Sequence, residues 1–369
     1  MDLVLSDEQR MIRDGAASFF RERGGVARMR AYRDAGGVGV GLWRELAELG
    51  WAGLIVPEAH GGAGLGMAEM AVVSEAAGRV LAPEPLLGCA VLGASALGLG
   101  GVEAGLGWLA KVASGEAVAA LAWDERAMRG ETARTGTVAR RDGDGWRLEG
   151  EKCDVIAGAE ADVLVVSARK DGGEVALFLV EKAAPGLTVS AQRRVDSVSV
   201  ARVGLSGVAA SAEIGDASVL DKVLDRGRVA AAAELLGVAG AAFEMTLAYL
   251  KERQQFGVAI GTFQTLRHRA ARLYMALELA RSAVMAASRA VDAGAGTRAG
   301  EAVQMVSLAK ARASDAALLV ADEAVQMHGG IGMTDEHDIG LYFKRARVLA
   351  MTLGDGAFHR DRWARIAGY

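Results

Sequence analysis

Cysteine is scarce: Cys89 and Cys153 are the only two in 369 residues. Neither a CxxC relationship nor metal-ligand spacing connects them, which argues against a disulfide framework and gives no zinc site. A basic stripe is also missing. The net charge is −4 with both signs interspersed, so the electrostatic footprint that nucleic-acid binding needs is absent. No uninterrupted apolar run reaches the roughly 18 residues that a membrane span requires. Segment 86–110 comes closest, and its glycines and Glu103 favour a buried helix. The chain begins Met1-Asp-Leu-Val-Leu-Ser-Asp-Glu, acidic rather than signal-like, and a cytoplasmic location is expected. Proline is rare: of four, at positions 57, 83, 85 and 185, none follows Pro185. Long helices in the C-terminal half therefore meet no proline break.

What is present is enough apolar sequence, 51% of residues, to bury two or three domains. Ser6 with Gln9 three positions later reads as a capping box opening a helix to about Glu22. Helical patterns follow at 41–50, 67–81, 86–99 and 104–114, interrupted by the Pro57 to Gly62 turn and by Pro83 and Pro85. From about 117 the pattern changes to short runs between turns, at 118–123, 135–141, 146–149, 163–169 and 175–180. From 217 long helical patterns return at 217–252, 262–293, 298–327 and 338–352, and such amphipathic segments need each other to bury their apolar faces. The expected fold is α+β in three blocks: an N-terminal helical domain 1–115, a middle β domain (barrel or sandwich) 116–216, and a C-terminal four-helix bundle 217–369.

Three groups of residues carry chemistry. Arg253-Gln-Gln-Phe256-Gly257 pairs a permanently charged planar fork, suited to a pyrophosphate, with an apolar face. Gln264 and Gln326 can each donate and accept, as adenine or ribose edges and phosphate oxygens require. Gly329 and Gly330 allow close backbone approach. Taken singly these have ordinary explanations, an arginine in a surface ion pair or a glycine ending a helix. Together with Leu49-Gly-Trp-Ala-Gly53, Pro57-Glu58, Gly61-Gly62 and Gly143-Asp-Gly-Trp-Arg-Leu-Glu-Gly-Glu-Lys152, they resemble the acyl-CoA dehydrogenase family over essentially the whole length.

In that family each FAD lies across a subunit boundary. The resemblance implies that Arg253, Phe256, Gln264, Gln326, Gly329 and Gly330 hold the ADP end of a neighbour's flavin. It also implies an acyl-CoA thioester substrate, α,β-desaturation, and reoxidation by an electron-transfer flavoprotein or a similar acceptor.

The other half of the family's pattern is missing. Where members carry Trp-Ile-Thr against the isoalloxazine ring, this chain has Asp154-Val155-Ile156, so an aromatic surface becomes a carboxylate and a hydroxyl becomes an alkyl group. A ring-edge acceptor facing Ile156 loses a hydrogen bond worth roughly 1–3 kcal/mol. The family's Thr-Glu-Pro is represented by Asp124-Glu125-Arg126, and the serine after it falls at Gly130. The family's catalytic Glu, which must reach the proton α to the thioester, aligns with Gly354, with Asp355 one residue late. The alternative base position is Gly227 beside Arg228. Glu234, two turns later, reads as structural more readily than catalytic. His268 and His328 flank the two glutamine motifs and have no partner at metal-ligand spacing, so core or interface hydrogen bonding is expected.

The expected assembly is therefore a heteromer of the steroid side-chain or pimeloyl-CoA type, typically two plus two. In it this chain is the non-catalytic subunit beside a homologous catalytic acyl-CoA dehydrogenase subunit. Two alternatives stand: a self-sufficient homo-oligomeric flavin oxidoreductase with Asp355 as its base, and a non-enzymatic scaffold of the same fold.

Overall fold

A computed structural model describes residues 4–128, 130–294 and 300–369. In chain order its helices and strands are α1 (Asp7–Glu22), α2 (Gly25–Asp34), α3 (Trp43–Glu48), α4 (Met67–Arg79), α5 (Ala94–Leu99), α6 (Glu103–Ala113), β1 (Ala119–Ala122), β2 (Val138–Asp142), β3 (Gly145–Ile156), β4 (Val163–Lys170), β5 (Val175–Glu181), β6 (Leu187–Arg193), β7 (Ser199–Ala210), β8 (Ala212–Asp216), α7 (Ala217–Glu252), β9 (Gln254–Gln255), β10 (Val258–Ala259), α8 (Gln264–Ala293), α9 (Glu301–His328), α10 (Ile339–Met351) and α11 (Gly356–Ala367). The order is helical, then strand-rich, then helical, as the pattern predicts. Helices α2 and α11 and strands β6 to β10 are additions to the expected elements, and the start of the pattern at 298 lies outside the described residues. The chain forms two compact units: Met1–Ala31, Met67–Ala82 and Arg228–Tyr369 make the helical one, and Tyr32–Gly66 and Pro83–Gly227 the strand-rich one.

In the helical unit, α1 starts where Ser6 and Gln9 cap each other, the Gln9 amide donating to Ser6 Oγ and the Ser6 amide to Gln9 Oε1, both at 3.1 Å. Helices α4 and α7 cross at backbone distance because both offer glycine there. A Cβ on Gly78 would lie 2.2 Å from the Glu234 carbonyl oxygen, and one on Gly237 would lie 2.0 Å from that of Glu75. Helix α7 is long and apolar enough to cross a membrane by composition alone, yet 83% of its most apolar window is buried inside the protein. Helix α9 packs against α8, α10 and α11.

The strand-rich unit holds an eight-stranded sheet in the order β6-β7-β3-β2-β4-β5-β8, with β1 paired to β4 in parallel. Strands β4 and β5 are central, and their Val163–Ala168 and Val175–Val180 runs are buried throughout, which is why they read as continuous apolar segments rather than alternating ones. Edge strand β6 is polar and largely exposed, as an unpaired edge needs to be. Asp216 ends the sheet and starts α7, its Oδ1 accepting from the amides of Ser218 at 2.9 Å and Val219 at 3.1 Å. The segment 86–93, read as a buried helix, is entirely buried in a π-helical turn.

Candidate functional site

The residues expected to face a dinucleotide lie at one end of the helical unit. Three contacts bring them together. Arg269, early in α8, pairs with Glu323, late in α9, at 2.6 Å, so Gln264 and Gln326 belong to the same end of that antiparallel pair. Tyr249, one turn before Arg253, stacks on His328 with ring centroids 4.6 Å apart. Phe256 meets Phe263 edge-on at 6.2 Å.

Arg253 follows α7, its amide donating to the Tyr249 carbonyl and its carbonyl accepting from the Ile260 amide, both at 2.8 Å. The next residues form a two-residue hairpin, with Gln255 opposite Val258 and both Phe256 and Gly257 at positive φ, 55° and 79°. This is the geometry of a type I′ turn, in which glycine suits the second position but a phenylalanine at the first is strained. The turn holds Phe256 92% exposed. Strain that sets an aromatic ring into solvent points to a function at that ring. Arg253, Gln264 and Gln326 are exposed too, and the Arg253 guanidinium makes no ion pair among the described residues.

Gly329 ends α9 at φ 65° and ψ −142°, a backbone conformation that favours glycine. Gly330 is different: nothing lies within 4 Å of where its Cβ would be, and its φ is not positive, so neither backbone nor space within this chain calls for glycine. His328 is buried, Nδ1 lying 2.8 Å from the Ala324 carbonyl oxygen, and burial holds its pKa below the usual histidine value. It is a core histidine, while His268 is exposed. Among the described residues no group of three His, Cys, Asp or Glu is placed to hold a metal ion.

The segment expected to stand at the family's base lies elsewhere in the same unit. Leu353 and Gly354 both have positive φ, 61° and 103°. A Cβ on Gly354 would fall 2.4 Å from the Phe358 ring and 2.9 Å from His359 Nε2. The position has neither the backbone nor the room for a glutamate. Asp355 is the N-cap of α11, accepting from the Phe358 amide at 2.7 Å, and is exposed; this is a structural role for a residue that its place in the sequence offers as a base. Glu234 is buried and accepts from Arg345 Nε at 2.9 Å, an ion pair that accounts for its carboxylate.

Sequence reading missed the cations beneath this segment. The Lys310 ammonium, wholly buried, donates to the carbonyls of Ala350 and Gly354, each at 3.0 Å. Arg228 Nε donates to the Leu353 carbonyl at 3.2 Å, and His359 Nε2 lies 3.1 Å from the same oxygen. Burial, with Arg228 nearby, pulls Lys310 down to about 7 and His359 to about 2. A lysine among the alanines and serines of α9 was the available signal.

In the strand-rich unit Asp154-Val155-Ile156, expected to stand where the family has Trp-Ile-Thr, sits on an irregularity of β3. Its register with β7 shifts between Lys152 and Val155, and Asp154 takes φ 49° there, as one residue of a bulge does. Around it the charges satisfy one another. Lys152 Nζ, wholly buried, donates to Glu125 Oε1 at 2.6 Å, Ser167 Oγ at 3.0 Å and the Trp123 carbonyl at 3.2 Å. Glu125 also accepts from the amides of Gly136 at 2.8 Å and Thr137 at 3.0 Å. Burial pulls Lys152 down to about 8 against the pull of Glu125. Burial alone would raise Glu125, but the charge and hydrogen bond of Lys152 outweigh it and hold it low. Asp124 is pushed up to about 6, first by burial and then by the Asp154 carboxylate, and Cys153 to about 11 by burial and the same two acids. Both causes disfavour the thiolate, the nucleophilic form.

Comparison with known proteins agrees with this architecture. Family models for the acyl-CoA dehydrogenase N-terminal, middle and C-terminal domains match residues 6–116, 120–208 and 217–368. "Acyl-CoA dehydrogenase IpdE2" of Mycolicibacterium smegmatis is 34% identical over 95% of this chain and 96% of its own length. Among solved structures, a variant of the Tcur3481-Tcur3483 steroid ACAD superposes with TM-score 0.90 at 34% identity, covering 98% of each chain. The ChsE4-ChsE5 complex from Mycobacterium tuberculosis superposes with TM-score 0.90 at 28% identity over the full length of both.

Proposed function

Because the chain belongs to the acyl-CoA dehydrogenase family, we propose that it is the subunit of a heteromeric, FAD-dependent acyl-CoA dehydrogenase that supplies ADP-side contacts to a partner's flavin and no base of its own. The observation that carries this reading is Gly354. At the position of the family's Glu, a positive φ and a Phe358 ring that would lie 2.4 Å from any Cβ close the site to a side chain, and the neighbouring Asp355 is spent on a helix cap. The similarity to two-component structures supports the same assembly.

The residues fit one half of FAD and not the other. Arg253 has a fork open to a pyrophosphate, Phe256 an exposed ring, Gln264 and Gln326 exposed amides, and Gly329 and Gly330 an unobstructed backbone. At the β3 bulge, Asp154 and the neighbouring Asp124 take the place of ring contacts, and neither is a surface for stacking. When bound, FAD supplies the hydride acceptor for desaturation of an acyl-CoA. This chain's part is to hold the dinucleotide: the guanidinium neutralises phosphate charge, and the glutamines orient the polar edges. The base, the ring contacts and the bound thioester belong to the homologous partner in a two-plus-two assembly, with an electron-transfer flavoprotein or a similar acceptor as the outlet. The functional division follows the three blocks 1–115, 116–216 and 217–369, and the complex works in the cytoplasm.

The test is acyl-CoA-dependent dye reduction by the co-purified complex carrying Asp355→Asn in this chain. Asparagine keeps the helix cap, so turnover is expected to stay within about twofold of the parent. Loss of turnover with flavin retained would make Asp355 the base and the chain self-sufficient.

A further inference from the structure

The helical unit contains a second place suited to a small molecule. Between α1 and α8, with α4 as floor and Leu236 of α7 at its base, lies a cavity of about 420 Å³. That volume falls in the range of small-molecule sites, roughly 300–1,000 Å³. Its floor is apolar and built from short side chains, Ala68, Ala71 and Ala76, with Ala17 on the α1 side and Val284 and Met285 on the α8 side. Alanine at these α4 positions leaves the space that a leucine would fill.

The polar groups are distributed unevenly. Four arginines line the cavity, Arg13, Arg79, Arg281 and Arg289, against two carboxylates, Asp14 and Glu75. Arg281 pairs with Glu75 and Arg79 with Glu244, which fixes two of the guanidinium groups as walls. Arg13 pairs with the exposed Asp14 at 2.9 Å. Arg289 pairs with no carboxylate among the described residues, and its guanidinium donates to the Val4 carbonyl oxygen at 2.6 Å. One bond uses one of its five N–H donors, and the fork that is left matches a carboxylate in two-point geometry.

An apolar floor closed at one side by an arginine with unused donors is the arrangement that takes an amphipathic anion. We infer that this cavity binds a medium-chain monocarboxylate, its chain over the alanines of α4 and its carboxylate at Arg289. The site shares no residue with Arg253, Phe256, Gln264, Gln326 or the 353–355 segment, so it stands or falls separately from the flavin reading.

The experiment is calorimetric titration of the full-length protein with decanoate below its micellar concentration, with decanol as the neutral control. Two variants probe opposite ends of the site: Arg289→Ala removes the anchor, and Ala68→Phe, at a half-buried position, fills the floor. The expected result is saturable binding of one decanoate per chain. Each variant, and loss of the charge in decanol, should weaken it at least about tenfold, since each removes the charge-assisted bond or the space for the chain. A crystal soaked in 10-bromodecanoate should then show bromine anomalous density over α4. Non-saturable uptake, equal binding of decanol, or affinity unchanged in the folded variants would overturn the proposal. Should one variant fail to fold, judged by its thermal transition, the other and the bromine position decide.

Discussion

At the end of the α8–α9 pair the chain turns groups outward that it does not use itself, whereas around β3 it uses nearly everything it has. Arg253 makes no ion pair among the described residues, Phe256 is held in the left-handed region with its ring in solvent, and Gly330 borders open space. Lys152, Glu125, Ser167 and Thr137, by contrast, form a closed set of bonds over a bulge bearing Asp154. Exposed groups kept in a costly or unsatisfied state serve something outside the chain, and buried groups that satisfy each other serve the fold. In an enzyme whose flavin crosses a subunit boundary, that contrast is what a chain would show if it contributed to one half of a site and had been released from the other.

The largest test breaks the closed set. Lys152→Met leaves Glu125 without its counter-charge and is expected to cost about 3–5 kcal/mol, the toll of removing one partner of a buried pair. Urea denaturation measures it, and flavin per complex should be unchanged in whatever protein folds. Next is Gly354→Glu, which restores the family's residue type to a position with no room for it. Strain and overpacking together should cost about 2–4 kcal/mol, and dye reduction by this chain alone should stay at background. If the variant gained acyl-CoA-dependent activity, the base position would be open and the contrast false.

Arg253→Ala comes third. It removes an outward group, so the thermal transition without flavin should not move. The dissociation constant of flavin from the complex should rise about 10- to 100-fold, as loss of about 1.5–3 kcal/mol of charge-assisted bonding implies. Fluorescence of released FAD on dilution reads it directly.

The smallest test concerns Asp124. Its folded pKa, raised to about 6 from 3.8, means that the native state prefers the protonated form. The stability it contributes is present below about pH 4 and lost as pH rises through about 6. Asp124→Asn should therefore stabilise the protein by about 1–2 kcal/mol at pH 7–8, allowing for its partial exposure, and by nothing near pH 4. Equal gains at both pH values would mean that charge at Asp124 is not the cause.

Much of this architecture is legible in the sequence because proline and periodicity are strong signals. The absence of proline after 185 and the 3.6-residue pattern locate α7 to α10 within a few residues, and Ser6 with Gln9 marks the start of α1. Helix α11 is hidden because it begins Gly356-Ala with Asp355 before it. Taken as a displaced base, Asp355 is not recognised as the helix cap that its place before α11 makes it. The pairing of Glu234 with Arg345 spans 111 residues and leaves no local trace. The I′ turn at Phe256-Gly257 is equally silent, since phenylalanine is not a residue that normally signals positive φ. Lys310 reads as one more charge on a helix until the fold shows it buried against the carbonyls of Ala350 and Gly354. Spacing thus nominates residues for chemistry, and long-range packing decides which of them are left free for it.

The most direct measurement is flavin per chain, from absorbance near the flavin band, for this protein alone and co-expressed with a homologous acyl-CoA dehydrogenase. The account predicts little flavin on the isolated chain and one flavin for every two chains in the complex. One flavin per chain on the isolated protein would contradict it, because the ring side of the site would then be complete within this sequence.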